Sequence, residues 1–304
     1  MNELTGPALP LTARPFGCGT DLMKDYIALT KPRITWLILM STGIGYFFGV
    51  QSGWHLLTLL HAVLGTGLLA SGTAALNQWY ERDADAKMRR TQGRPLPSGR
   101  LDPARAFWFG VAISVAGFVD LWFGANPLTA LLGLITLLTY LFFYTPLKQR
   151  SPHSTTVGAI PGAMPPLIGY AAAHGSLTIE AWLLFGILFL WQFPHFYSIA
   201  WMYREDYERA GIRMLPVVEP DGESTARQMF WYAAALLGLS LIPRYTGMTG
   251  NLYLGGAVLL GVGYMYAALR VMQDRSRLRA RAVLLASVLY LPLLYGLMLV
   301  DHAA

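Results

Sequence analysis

Long apolar stretches recur along nearly the whole chain, and they constrain the fold more than any other feature of the sequence. A bilayer core of roughly 30 Å requires about 20 apolar residues in a helix, and windows of that length occur about nine times. Their approximate bounds are 34–52, 56–77, 104–124, 127–146, 155–174, 179–202, 227–245, 251–271 and 282–300. Only 13% of the 304 residues are charged, which is unusual for a soluble domain. The sequence therefore predicts an all-α, polytopic membrane protein with a nine-helix transmembrane bundle.

Basic residues are concentrated in the segments that an odd number of spans places on one side of the membrane. These segments are the N-terminus and the loops 77–105, 147–154, 203–226 and 270–281. The opposite side has only Arg244. The positive-inside rule then predicts cytoplasmic loops and N-terminus, in a bacterial inner membrane or an equivalent membrane. The net charge of +6 belongs to these loops and indicates an anionic membrane surface rather than a nucleic-acid partner.

The domain organisation follows from the same pattern. Residues 1–24 are predicted to form a polar cytoplasmic tail, and residues 25–304 a single intramembrane domain. The single cysteine, Cys18, lies in the tail and excludes an intrachain disulfide framework or a cysteine metal site.

The segment "NQWYERDADAKMRRTQGRP", residues 77–95, places carboxylates and arginines directly after the second apolar window. If the helix continues past Asn77, Glu81 lies at about 40° and Asp85 at about 80° from it, so the three side chains form one stripe. Asp83 lies at about 240°, on the other side of the helix. One interpretation is a solvated loop whose charges only follow the sidedness rule. The i, i+4, i+8 spacing favours a shared site.

Two carboxylates and an amide oxygen on one face repel each other unless a cation lies between them. Mg²⁺ takes such hard oxygen ligands and commonly completes its shell with water and substrate phosphate. Arg89, Arg90 and Arg94 follow in the sequence, and guanidinium groups bind phosphate oxygens in a bidentate way. Stripe and arginines together predict a site for a Mg²⁺-bridged diphosphate at the membrane surface.

A second polar segment, "WQFPHFYSIAWMYREDYERAGIRMLPVV" (191–218), occupies the corresponding place after the sixth window. Its acidic residues Glu205, Asp206 and Glu208 are predicted on the same side of the membrane as the first stripe. His195 and Asp206 differ by about 20° in helical phase, so they share a face if the helix continues. An intramembrane histidine indicates a functional role by default, although a structural hydrogen bond to a neighbouring helix explains His195 equally well.

Two further stretches each allow two interpretations. "YTPLKQRS" (144–151) places Lys148 at the same mouth, where it is either a phosphate contact or a sidedness anchor. The fifth window contains Gly158 and Gly162 at a spacing typical of close helix packing. Its prolines, Pro161 among them, could instead break the helix and widen a cavity.

Several of these blocks resemble signature motifs of the UbiA superfamily of intramembrane prenyltransferases. The blocks are "YIALTKPRI" (26–34), residues 77–99, 144–151, "VGAIPGAMPPLIGY" (157–170) and residues 191–218. The resemblance covers approximately residues 24–300, and the last block is similar to the heme branch of the family. It implies a nine-helix bundle around an apolar central cavity, with Mg²⁺-dependent ionisation of farnesyl diphosphate.

The resemblance also assigns roles to individual positions. Metal and diphosphate binding, with the carboxylates counted as catalytic, would fall to Asn77, Glu81, Asp85 and Asp206. Neutralisation of the departing diphosphate would fall to Arg90, Arg94 and Lys148, and His195 would contact heme or direct water. The family's second motif commonly has two aspartates four residues apart, whereas Met202 and Ala210 flank Asp206 here. That departure leaves Glu205 or water to supply the missing ligand.

The reaction implied by the heme branch is transfer of the farnesyl group to the 2-vinyl group of heme B, with addition of water, to give heme O. Heme A synthase or the assembly machinery of a terminal oxidase would then be partners. One alternative keeps the enzyme class and makes the acceptor a quinone precursor or a chlorophyllide. Another is a transport or heme-handling membrane protein without chemistry. Charges at the mouth rather than near the bilayer midplane argue against a coupled transporter.

Overall fold

The computed structural model describes residues 19–51, 53 and 55–302, and Cys18 and most of the predicted tail lie outside them. The described residues form helices with short connections and one isolated bridge between Thr249 and His302. The helices are α1 (Gly19–Leu29), α2 (Pro32–Gly49), α3 (Leu56–Tyr80), α4 (Arg82–Lys87), α5 (Pro103–Gly124), α6 (Pro127–Leu138), α7 (Thr145–Leu147), α8 (Ser154–His174), α9 (Ile179–Met202), α10 (Arg204–Arg209), α11 (Leu215–Val218), α12 (Glu223–Tyr245), α13 (Asn251–Gln273) and α14 (Arg277–Val300), with a π-helical segment at Thr139–Tyr144 between α6 and α7. Residues 19–24, predicted as tail, belong to α1.

Each predicted apolar window coincides with a long helix whose ends differ by a few residues from the prediction. Six of these helices are long and apolar enough to cross a membrane: α3, α5, the α6–α7 run, α9, α13 and α14. The prediction of an all-α polytopic protein is confirmed, while the count of nine spans stays a prediction. Of the other three, α8 is largely enclosed by neighbouring helices, so its sequence need not match lipid along its whole surface.

Large apolar side chains are exposed on the outward faces of the long helices. Trp36 of α2, Phe123 of α5, Leu259 of α13 and Leu289 of α14 are examples. Contiguous exposure of this kind is rare on soluble monomers, because water penalises it, and hydrocarbon removes that penalty. The bundle surface therefore matches lipid as its solvent.

The long helices pack as two groups of four, with α2 lying against α8. One group is α3, α5, α6 and α8, and the other is α9, α12, α13 and α14. Each group begins with a long helix followed almost directly by a six-residue helix that carries acidic side chains, α4 after α3 and α10 after α9. The architecture thereby brings the two polar segments to the same end of the bundle.

Small residues permit the close approach of α2 and α8. A Cβ atom added to Gly45 would collide with the backbone of Pro166, and one added to Gly169 would collide with the backbone of Thr42. Pro161 lies inside α8, yet the helix runs without interruption. The interpretation of this window as a proline-broken, widened segment is wrong, because contacts with α2, α6 and α9 hold the helix together.

Candidate functional site

The stripe of polar residues lies at the junction between α3 and α4. The backbone at Glu81 departs slightly from helical geometry (φ −88°, ψ 6°), but helical hydrogen bonding continues from Asn77 to Glu81 and from Glu81 to Asp85 at 2.9 and 2.8 Å. Asn77 and Asp85 are each only 1% exposed, whereas the Asp83 side chain is 86% exposed. Asn77, Glu81 and Asp85 therefore share the buried face of the junction, and Asp83 faces away from it.

Each side chain of the stripe contacts a basic side chain. The contacts are Lys31 Nζ to Asn77 Oδ1 at 3.1 Å, Lys148 Nζ to Glu81 Oε1 at 2.8 Å and Arg94 Nη1 to Asp85 Oδ2 at 2.6 Å. We call these six residues the first cluster. Its three cations outnumber its two carboxylates, so the burial of the carboxylates is compensated and one positive charge is left over.

The ion pair between Glu81 and Lys148 keeps both groups charged. Burial disfavours the Glu81 carboxylate, but the nearby Lys148 and Lys31 outweigh it and hold the pKa of Glu81 below its usual value. Burial likewise disfavours the Lys148 ammonium, but Glu81 outweighs it and raises the pKa of Lys148 well above its usual value. The Lys148 ammonium also lies 4.5 Å from the centre of the Tyr144 ring.

Lys31 is a member of the cluster that sequence reasoning missed. It is the one non-glycine residue with positive φ (49°) among the described residues, a backbone conformation that often marks functional sites. Burial and the neighbouring Arg94 and Lys148 lower the pKa of Lys31 to about 8. The sequence marked only the start of α2, by the proline at position 32, and the extended backbone that a residue before proline ordinarily adopts does not predict the left-handed conformation of Lys31.

The second acidic segment is arranged differently. Asp206 forms an ion pair with Arg209 on its own short helix and accepts a hydrogen bond from the backbone N–H of Arg89 at 3.3 Å. Glu205 and Glu208 are exposed. The contact with Arg89 brings Asp206 next to the chain segment that follows α4.

The shared face of His195 and Asp206 was predicted for a continuous helix and stays a prediction. Helix α9 ends at Met202 and α10 begins at Arg204, with Tyr203 (φ −116°, ψ 22°) between them. Hydrogen bonds four residues apart run through Tyr203 at 3.0 and 3.1 Å. His195 Nδ1 lies 2.7 Å from the Ser287 hydroxyl on α14, and its ring stacks on Trp191 with centroids 4.8 Å apart. The structural hydrogen bond to a neighbouring helix, one of the two interpretations of His195, is present.

Arg90 links the two acidic segments. Its guanidinium lies 5.0 Å from the centre of the Tyr203 ring and 5.7 Å from that of Tyr207. It also donates to the Tyr207 hydroxyl at 3.2 Å. These cation–π contacts leave the guanidinium exposed and able to reach a ligand. The two tyrosines were not predicted, because they approach Arg90 only in the folded bundle.

The donor set of the first cluster fits Mg²⁺. The ligating atoms are two carboxylates and an amide oxygen, the hard donors that this ion prefers. Among the described residues no three His, Cys, Asp or Glu side chains lie close enough together to hold a metal by themselves. A Mg²⁺ ion held by one or two carboxylates typically completes its shell with water and phosphate oxygens, which suits the surrounding cations.

A cavity of about 390 Å³ lies at the other end of the bundle, where α8 ends and α9 begins. Tyr170, His174, Glu180 and His302 contribute to its lining. This cavity is distinct from the first cluster, and the apolar central cavity implied by the family resemblance stays a prediction.

Comparison with known proteins agrees with this arrangement. The model of the UbiA prenyltransferase family matches residues 38–292. A protein of Solibacter usitatus named protoheme IX farnesyltransferase is 66% identical over 289 residues, which are 92% of this chain and 99% of the relative.

Solved structures show the same fold at low sequence identity. One of them is the structure of a digeranylgeranylglyceryl phosphate synthase. It has a TM-score of 0.78 and 17% identity, over 92% of this chain and 98% of the other. A UbiA homologue from Archaeoglobus fulgidus bound to GPP and Mg²⁺ has a TM-score of 0.66 and 15% identity, over 90% and 99% of the two chains.

The family match covers most of the chain, and the relative is similar along nearly its entire length. The alternative of a membrane protein without chemistry is therefore wrong, because family and relative are transferases. Together with its six membrane-length apolar helices, these matches show that the chain is an integral, multi-pass membrane transferase that belongs to the UbiA prenyltransferase family.

Proposed function

We propose that the protein transfers the farnesyl group of farnesyl diphosphate to the 2-vinyl group of heme B and produces heme O. The observation that carries this proposal is the 66% identity, over 92% of the chain, to a relative named protoheme IX farnesyltransferase. The first cluster supports it, because its cations and carboxylates match a metal-bridged diphosphate.

The reaction balances with one molecule of water. The bond between farnesyl C1 and the diphosphate oxygen breaks, and its electron pair leaves with the diphosphate. The terminal carbon of the vinyl group bonds to farnesyl C1, and water adds to the inner vinyl carbon and loses a proton. The products are a hydroxyethylfarnesyl side chain, diphosphate and one proton.

Side chains of the first cluster would hold the diphosphate. Asn77, Glu81 and Asp85 would bind Mg²⁺, with Asp206 approaching from the second segment. Mg²⁺, when bound, supplies positive charge that stabilises the leaving oxygen. The Mg²⁺-bound homologue of the same fold supports a magnesium-dependent reaction at the level of the family.

The present ion pairs indicate how the cations would act. Arg94 and Lys148 contact carboxylates at 2.6 and 2.8 Å. A diphosphate bound beside these carboxylates would therefore be reached by both cations through a change of side-chain rotamer. On binding, they would exchange a carboxylate partner for a phosphate oxygen, while the carboxylates turn to the metal. Because each charge keeps a partner throughout, the exchange avoids leaving a buried charge uncompensated.

Arg90 has a role in diphosphate binding in this proposal, whereas His195 has no assigned step. The exposed guanidinium of Arg90 would reach the diphosphate from between Tyr203 and Tyr207. A role of His195 in heme contact or water addition stays a prediction, as its Nδ1 lies 2.7 Å from Ser287. The cytoplasmic orientation and the heme A synthase or terminal-oxidase partners also stay predictions.

The test is an assay of purified protein in lipid nanodiscs with heme B, farnesyl diphosphate and Mg²⁺. Mass spectrometry of the extracted heme is expected to show heme O, and EDTA is expected to abolish it. Geranyl diphosphate in place of farnesyl diphosphate serves as the donor control.

An acceptor from quinone biosynthesis is the competing possibility within the same enzyme class. The matched reaction contains 4-hydroxybenzoate in place of heme B. Prenylated 4-hydroxybenzoate without any heme O would overturn the heme assignment and leave the prenyltransferase assignment intact.

A further inference from the structure

The helical segment that leads to Lys148 of the first cluster is wound as a π-helix at Thr139–Tyr144. Pro146 explains the wide turn, because in an α-helix its ring would clash with the carbonyl of Phe142 and it has no amide hydrogen to donate. The backbone N–H of Thr145 accordingly bonds to the carbonyl of Tyr140, five residues earlier. Single π turns inside α-helices are frequent at functional sites.

In this geometry the only hydrogen of the Thr145 hydroxyl is used in a hydrogen bond to the backbone. Oγ1 donates to the same Tyr140 carbonyl at 2.8 Å. A second contact joins Oγ1 to Asn77 Nδ2 at 3.2 Å, across 68 residues of sequence. Since the hydroxyl hydrogen is already used, Oγ1 can only accept here and the Asn77 amide nitrogen must donate. Thr145 and Asn77 are each 1% exposed, so water does not compete for either group.

Lys31 orients the same amide from the other side. Its ammonium group has donors and no acceptor, and it lies 3.1 Å from Asn77 Oδ1. The two contacts agree that the amide nitrogen points to Thr145 and the carbonyl oxygen to Lys31, and the NH₂ group also forms a hydrogen bond with the neighbouring Glu81.

We propose that Thr145 is a positioning residue that holds the carbonyl oxygen of Asn77 toward the Mg²⁺ ion that would bind with the diphosphate. The proposal rests on the metal role of Asn77 given under the proposed function. When the metal–diphosphate binds, Lys31 and Glu81 would turn to the ligand, which leaves Thr145 as the contact that fixes the amide. Without the hydroxyl, the amide of the bound state can turn over and present its NH₂ group to the metal. An NH₂ group has no lone pair for a cation, so the site would lose one of its oxygen ligands.

The first test compares Thr145→Val with Thr145→Ser. Valine matches threonine in shape and removes the hydroxyl, whereas serine keeps it. Mn²⁺, a paramagnetic substitute for Mg²⁺, is titrated into purified protein with a non-reactive thiodiphosphate analogue of farnesyl diphosphate, and free Mn²⁺ is measured by electron paramagnetic resonance. We expect roughly 10- to 100-fold weaker Mn²⁺ binding by the valine variant, the usual loss when a ligand's outer partner is removed. The serine variant is expected to bind as the wild type does.

The second test separates orientation from packing. A carboxylate at position 77 has two equivalent oxygens and presents one to the site whichever way it is turned. In the Asn77→Asp background, Thr145→Val is therefore expected to cause at most about a twofold further loss of Mn²⁺ affinity, well below its loss in the Asn77 protein. The same large loss in both backgrounds would show that Thr145 acts only through packing and would overturn the proposal.

The outcomes also separate this proposal from the proposed function. Wild-type protein that binds Mn²⁺, combined with unchanged binding by Thr145→Val, overturns the role of Thr145 alone. A response of metal affinity to Thr145→Val, in a protein that makes no heme O, upholds the role of Thr145 and overturns the heme acceptor. Wild-type protein that binds no Mn²⁺ with the analogue overturns both.

Discussion

The two halves of the bundle begin alike but differ at their acidic junctions. After α3, the carboxylates of Glu81 and Asp85 are buried, and their cationic partners come from distant parts of the chain. After α9, Asp206 stands without acidic neighbours four residues away on either side and pairs with Arg209 of its own short helix. The first junction is organised by tertiary contacts, whereas the ion pair of the second is local. We infer that the first junction carries most of the metal–diphosphate binding.

The largest expected effect concerns the stability of the two ion pairs. Lys148→Met removes the ion-pair partner of the buried Glu81, and we expect a loss of about 3–5 kcal/mol in the free energy of unfolding. Arg209→Met removes a partner that is 39% exposed and is expected to cost less, about 1–3 kcal/mol, because the buried Asp206 keeps the hydrogen bond from the backbone N–H of Arg89. Thermal unfolding of detergent-solubilised protein in EDTA, followed by circular dichroism, measures both. Equal destabilisation by the two variants would contradict the distinction between the junctions.

The same pair predicts a pH dependence. The lowered pKa of Glu81 gives stabilisation that is present above its unfolded value and lost as the pH falls through its folded value. The raised pKa of Lys148 gives stabilisation that is present below its unfolded value and lost as the pH rises through its folded value. The contribution of this pair to the stability of the wild type should therefore stay constant from about pH 5 to about pH 7, and above that range Lys31, whose pKa is lowered to about 8, adds a change of its own. A wild-type free energy of unfolding that falls steeply between pH 5 and pH 7 would contradict the assigned charges.

The next effect concerns turnover at the first junction. Asp85→Asn removes a buried charge from the metal site, and we expect heme O formation to fall roughly 100-fold or more, since loss of even an outer partner typically costs 10–100-fold. Asp83→Asn is the matched control, because this neighbouring carboxylate is 86% exposed. Its activity should stay within about twofold of wild type, because surface substitutions have small effects. Product formation by Asp85→Asn at the wild-type rate would show that Asp85 does not bind the metal.

The smallest effect is expected at the second junction. Asp206→Asn should lower activity about tenfold, less than Asp85→Asn, and raise the Mg²⁺ concentration needed for half-maximal rate. Glu205→Gln is the control, because Glu205 is exposed. A loss from Glu205→Gln as large as that from Asp206→Asn would identify Glu205 as the missing ligand and make the two junctions more alike.

Local regularity explains which parts of this molecule could be predicted. Residues four apart share a helix face wherever the helix continues, so Asn77, Glu81 and Asp85 could be separated from Asp83 without a structure. The same reasoning could not place His195 relative to Asp206, because a separate short helix begins after Tyr203. The sequence between them contains neither a glycine nor a proline that would mark the end of α9.

Residues that act across the bundle could not be found in this way. Lys31 and Thr145 contact Asn77 over 46 and 68 residues of sequence. Each contact depends on how the ends of α2, α3 and α7 approach one another. Proline signals at positions 32 and 146 marked both places, but they did not indicate which side chain meets which.

The amino-acid sequence alone was sufficient to assign the membrane class, the positions of the long helices and the polar stripe, because hydrophobic length and helical phase are properties of consecutive residues. Tertiary structure alone determined which cation meets which carboxylate, and which way the Asn77 amide points. Those choices depend on distances of about 3 Å between side chains on separate helices, and such distances exist only once the helices have packed.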